Sequence, residues 1–186
     1  MKEFGGAEIV TFLKAVDRHA KRPFRVVIIG GAAASLHYGA AGGTMDIDTA
    51  NNVAELEPAC EAARKETGLD IPVSSVPIAE SPWQYEDRLQ RVPIRGLKKL
   101  TVFVPDKHDW ALMKITRLLE KDIEDIEEVS KTVGLDRAVF LDRFLKEMTH
   151  IEPHERLIQQ FLTMMEELFG ESEAKLMEAA IKKRSS

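Results

Sequence analysis

Apolar residues in the first third of the chain recur at two different periods. Ile9, Phe12, Leu13 and Val16 return every three or four residues, with Lys14, Asp17, Arg18 and Lys21 between them. That spacing predicts a helix over residues 7–21, closed by Pro23. The run Phe24-Arg25-Val26-Val27-Ile28-Ile29 predicts a buried strand, which Gly30-Gly31 stops. An alanine-rich helix over 32–38, a small-residue loop over 39–43 and a second strand over 44–50 follow. Asn51 and Asn52 offer a cap for a helix over 53–66, which Gly68 ends. A third strand is predicted over 71–76, a loop over 80–87, and a hairpin from 89–94 and 100–104 about Gly96-Leu97-Lys98. Beyond Pro105 the pattern reads as helical over 106–130, 136–149 and 155–180, punctuated by Gly134, Pro153 and Gly170. Strands before residue 104 and helices after it predict an α/β (α+β) fold. A mixed sheet flanked by helices would occupy residues 1–130, with a helical C-terminal region over 131–186.

Composition narrows the function classes only a little. The 186 residues are 44% hydrophobic and 31% charged, enough for a sizeable core. The net charge of -5 argues against a protein that coats nucleic acid over its whole surface, though not against a local basic site. Cys60 is the sole cysteine, which rules out an internal disulfide framework and a cysteine-based zinc cluster. No apolar stretch approaches the roughly 20 residues of a membrane span, and residues 1–20 carry no signal-peptide core. The expectation is a cytoplasmic protein with no membrane association.

The candidate chemistry begins at Gly30. Asp46 and Asp48 stand two residues apart on a predicted strand, so they project to one side while Ile47 points to the other. Two carboxylates so placed can share a hard cation such as Mg²⁺. Gly30-Gly31 lets backbone amides approach a phosphate with no Cβ in the way, and the following helix offers its N-terminus to the same anion. Either piece alone is common by chance; the order strand, Gly-Gly, short helix, loop, Thr44, Asp46-Ile47-Asp48 is what carries the reading.

A second constellation lies in 109–126. Read as one continuous helix, Leu112, Ile115, Leu119, Ile123 and Ile126 form an apolar stripe with Lys114, Lys121 and Asp125 on its polar edge. Asp122 leans toward the stripe, which is costly unless it is paired or binds a cation. On pattern alone, a solvated helix with charge pairs such as Lys121 with Asp125 is the better account of the set. Elsewhere, Trp83 and Tyr85 could stack on a base or merely anchor their loop, His37 and Tyr38 read as packing, and His150 and His154 as surface residues. Leu157, Phe161, Met164, Met165 and Leu168 form a stripe suited to core or oligomer contact.

The segment from Gly30 to Asp48 resembles the first motif of nucleotidyltransferase-fold proteins, and within these the AbiEii/MenT-like toxins and related uncharacterised nucleotidyltransferase-like proteins. The resemblance covers about residues 26–129. It implies a nucleotidyltransferase-type palm that binds an NTP at Gly30, Gly31, Thr44, Lys114 and Arg117. It implies Mg²⁺ or Mn²⁺ on Asp46 and Asp48, Lys114 against the phosphates, and Asp122 or Asp125 completing the acidic site. The implied reaction moves an NMP from an NTP to a hydroxyl of an acceptor RNA 3′ end or a protein. A toxin of this type would have an antitoxin partner. Gly31 stands where many active transferases have a Ser, and Gly43 where relatives often have a basic residue. Those departures define the alternative, a catalytically inactive nucleotide-binding or scaffold protein of the same fold.

Overall fold

The computed structural model describes residues 2–77 and 80–185. Contacts divide the chain into two compact units, one from residues 1–78 and 88–105, the other from 79–87 and 106–186. Residues 106–130 fall in the second unit, with the helices that follow them.

The first unit contains α1 (Gly6–His19), β1 (Phe24–Val27), α2 (Gly30–His37), β2 (Ile47–Thr49), α3 (Glu57–Thr67), β3 (Val73–Ser75), β4 (Gln90–Arg91) and β5 (Leu100–Val104). The strands form a sheet of order β1-β5-β4 and a separate pair β2-β3. β5 is parallel to β1 and antiparallel to β4, so the sheet is mixed and the predicted hairpin is present. An antiparallel bridge between Ile28 and Thr49 carries β2 alongside the end of β1. The β-branched runs explain the strands: Val26, Val27, Ile28, Val102 and Val104 are all buried. The buried face of α1, Ile9, Phe12, Leu13 and Val16, is the predicted one.

Three local expectations differ. The strand expected over 44–50 is shorter, because Thr44 pairs with Phe4 through two backbone hydrogen bonds and the chain bends at Met45-Asp46. Asn52 caps the turn into α3 by accepting from Ala54 N–H, but Asn51 instead spans the backbone of β1, bonding Val27 N–H and Arg25 C=O. Asp17, expected on the polar face of α1, is buried and accepts backbone N–H bonds from Lys98, Lys99 and Leu100 at 2.6–3.0 Å. Three amide donors hold its carboxyl below the ordinary range although burial pushes the other way.

The second unit contains α4 (Lys107–Ile115), α5 (Glu120–Val133), α6 (Arg137–Glu147), α7 (His154–Phe169) and α8 (Glu171–Ser185). Its core is Trp110, Phe140, Phe144, Phe161, Met164 and Met165, with the Phe144 and Phe161 rings stacked at 4.0 Å. Asp106 caps α4, and Gly170, at φ 88°, separates α7 from α8 as its position in the sequence suggests. The continuous helix expected over 106–130 is two helices. Leu118 adopts φ 45°, and the Thr116 hydroxyl donates to Met113 C=O, so the chain turns between Ile115 and Glu120. His154, expected at the surface, is partly buried against Phe144. No helix among the described residues is long and apolar enough to cross a membrane.

Candidate functional site

In the first unit the end of β1 delivers the chain directly into α2, so Gly30 and Gly31 form the first turn of the helix rather than a loop before it. Gly30 sits at φ 63°, a conformation that L side chains rarely adopt. A Cβ there would lie 3.7 Å from an Asp48 carboxylate oxygen. At Gly31 a Cβ would meet Thr44 Oγ1 at 3.1 Å and Thr44 Cβ at 3.2 Å. The glycines are therefore where the acidic segment closes onto the helix N-terminus. Ile29 N–H donates to Asp48 C=O at 2.9 Å, which fixes that approach through the backbone.

Ile47 and Thr49 are fully buried, whereas Asp48 between them and Asp46, in the bend before β2, are half-buried. The Thr44 hydroxyl donates to Asp46 C=O at 3.1 Å and lies 3.5 Å from the Asp46 carboxylate. Ser74 on β3 donates its hydroxyl to Asp48 Oδ1 at 2.8 Å. Sequence reasoning missed Ser74; only the parallel register that sets Asp48 beside it could reveal the contact. The structure thus brings Gly30, Gly31, Thr44, Asp46 and Asp48 together. Among the described residues no three His, Cys, Asp or Glu side chains gather into a ready-made metal cage. A two-carboxylate site still suits Mg²⁺, which is commonly held by one or two carboxylates plus substrate phosphates and water.

In the second unit Lys114, Arg117, Lys121, Asp122 and Asp125 also converge, across the turn between α4 and α5 rather than along one helix. Lys114 Nζ donates to Asp122 Oδ1 at 2.9 Å and to Asp125 Oδ2 at 2.8 Å. Arg117 forms a two-pronged pair with Asp122 at 2.8 and 2.7 Å, and Leu119 N–H caps the same carboxylate at 3.1 Å. Lys121 reaches Asp125 at 3.0 Å, the one pairing the solvated-helix reading anticipates. The middle of the set is not solvated, however: Asp122 is 0% and Lys114 7% exposed, while Leu119, expected in the apolar stripe, is 54% exposed. The inward face of α5 is Asp122, Asp125, Ile126 and Val129. Burial alone would raise the Asp122 carboxyl, but hydrogen bonds from Arg117 and Lys114 bring it down to about 2.

The family described as "Nucleotidyltransferase of unknown function (DUF6036)" matches residues 7–168. The chain belongs to this family. No curated protein and no solved structure matches it. The nucleotidyltransferase match runs from α1 through α7 and so includes the acidic turn and the buried ion network alike. Another buried cluster of this nucleotidyltransferase-family chain was not legible in its sequence. Arg143 on α6 pairs with Asp106 and with the fully buried Asp109, and His108 bridges Asp106 and the backbone N–H of Asp136. Burial opposes ionisation of Asp106, yet His108 and Arg143 hold its carboxyl well below the usual range. The pairs of Arg143 and the bond from Asp136 N–H to His108 fasten α4 to α6, which is a structural duty.

Proposed function

We propose that the chain is a Mg²⁺- or Mn²⁺-dependent nucleotidyltransferase that moves an NMP from an NTP to a hydroxyl on an acceptor RNA 3′ end or a protein. The observation carrying this reading is the closure of Asp48 and Thr44 onto the first turn of α2, with Asp46 held beside Thr44. Backbone amides and a helix N-terminus favour phosphate there, and two carboxylates favour the cation that accompanies it. In this reading Asp46 and Asp48 hold the cation, with Ser74 orienting Asp48. Gly30 and Gly31 admit the phosphates. When bound, the cation supplies charge compensation for the phosphates and aligns the acceptor oxygen.

The absence of a hydroxyl at Gly31 favours the alternative of an inactive binding protein, but Thr44 offsets it. Its Oγ1 stands 3.1 Å from where a Cβ at position 31 would be, so a hydroxyl occupies that corner from another segment. For the second constellation the geometry favours support over chemistry. Asp122 already accepts from Lys114, Arg117 and Leu119 N–H, so serving a metal would strand those donors. Arg117 and Lys121, with side chains 63% and 49% exposed, are the members that present charge to solvent. A toxin of a toxin–antitoxin pair fits this activity, its antitoxin partner being a second protein that restrains it.

The test is incubation with each labelled NTP, Mg²⁺ or Mn²⁺, and total tRNA or cell lysate. Label on a macromolecule, lost in Asp46→Asn, supports transfer. Cation-dependent NTP binding without any label supports the inactive form, and neither binding nor label overturns both readings.

A further inference from the structure

We infer that the first unit carries a docking groove for single-stranded RNA, formed by α1, the C-terminal end of α2 and the segment that joins β4 to β5. Three adjoining concavities make up the groove. The first, about 490 Å³, is lined by Lys14, Arg18, Arg95 and Lys98 with Asp17 at its side. The second, about 360 Å³, shares Lys14 and Arg95 with it and continues over Val10, Pro93 and Ile94 to Leu36 and His37. The third, about 320 Å³, extends from residues 92–95 to Arg91.

Charge gives this surface its selectivity. Lys14, Arg91, Arg95 and Lys98 have no ion-pair or hydrogen-bonding side-chain partner among the described residues, although the chain carries a net charge of -5. Arg18 is paired with Glu66, and Lys99 spends its ammonium on the carbonyls of Arg18 and Ala20. Asp17, the one acid in the lining, is consumed by three backbone amides. Four uncommitted cations beside an apolar floor match a polymer with an anionic backbone and flat apolar faces, which is what a single-stranded nucleic acid presents. An acidic peptide would satisfy the cations but leave that floor without a partner.

Position supplies the second argument. His37 and Leu36 end α2, and Gly30-Gly31 begin it, so the groove approaches to roughly 10 Å of the glycine turn along the helix axis. A strand held in the groove could thus extend its end to the acidic turn. The inference rests on the transferase reading for its meaning as an acceptor track, although the binding itself does not require transfer.

The test uses the full chain and a labelled single-stranded RNA of about twelve nucleotides, within the site sizes of single-strand binders. Fluorescence anisotropy across a salt series reads affinity and slope. The variant Lys14→Glu/Arg95→Glu/Lys98→Glu should bind at least about ten-fold more weakly, with the slope of log K against log salt reduced by about 2. Its melting temperature and NTP binding should match those of the parent, since its changes are on surface side chains outside the turn. Unchanged RNA affinity in a folded variant overturns the groove. Tighter binding of poly-glutamate than of RNA by the parent also overturns it, in favour of an acidic protein. Asp46→Asn separates the two ideas. If it keeps cation-dependent NTP binding while the groove variant loses RNA, the transferase site fails and the groove stands.

Discussion

Asp46 and Asp48 differ in their supports, and their variants should differ accordingly. Asp48 is tied to Ser74 and its backbone to Ile29, whereas Asp46 sits in the bend before β2 beside Thr44. Asp46→Asn and Asp48→Asn should each abolish Mg²⁺-dependent nucleotide binding while leaving the fold intact, as titration calorimetry and circular dichroism would show. Ser74→Ala should weaken that binding by about ten-fold, the usual scale for a group that orients a ligand. Gly31→Val should cost nucleotide binding by a route visible in the structure, because a Cβ at 31 already presses on Thr44 and a branched side chain must displace it. Wild-type nucleotide affinity in Gly31→Val would show the glycine to be only a helix start. The motif was legible at residue scale because its order along the chain is fixed. Ser74 was not, since a serine acquires significance only when a strand register puts it opposite an acid.

The two-helix arrangement of α4 and α5 reverses one expectation about stability. A partly exposed lysine contributes little to folding, and a place on the polar edge of a helix would make Lys114 one of those. It is instead buried beneath Asp122 and Asp125, with its ammonium 5.4 Å from the Trp110 ring centre. Lys114→Ala should therefore destabilise the protein by about 3–5 kcal/mol, because it leaves two buried carboxylates short of a partner. Chemical denaturation measures this, and a loss below about 1 kcal/mol, the scale of an exposed pair, would show the network to be solvated in solution. Helical periodicity cannot register a single residue at positive φ, and Leu118 carries none of the glycine or proline that usually marks a break. Once the helix is broken there, Asp122 becomes a first-turn residue that caps Leu119 N–H, and its burial follows.

At the scale of the whole molecule, two buried carboxyls and one partly buried one set the response to acid. Asp17, Asp106 and Asp122 all have folded-state values below those of an unfolded chain, with Asp122 at about 2. Groups depressed in this way add stability that is complete above about pH 4 and is lost as pH falls through their folded values. Denaturation midpoints should hold down to about pH 4 and fall steeply toward pH 2, and Asp122→Asn should flatten that fall while lowering the plateau. The alternation of strand and helix patterns made the mixed sheet and the helical tail legible. The division into units was not, because residues 79–87 cluster with helices that follow them in sequence, and no local pattern encodes such a return. The parallel pairing of Phe24–Val27 with Leu100–Phe103 also has a consequence for the chain's birth. On the ribosome β1 emerges long before its neighbour, so the strand that feeds the glycine turn must wait for β5 to be synthesised. Such distant pairing slows folding. The nascent protein should stay without nucleotide affinity until residue 104 has cleared the exit tunnel, a delay that arrested chains of stepped length would time.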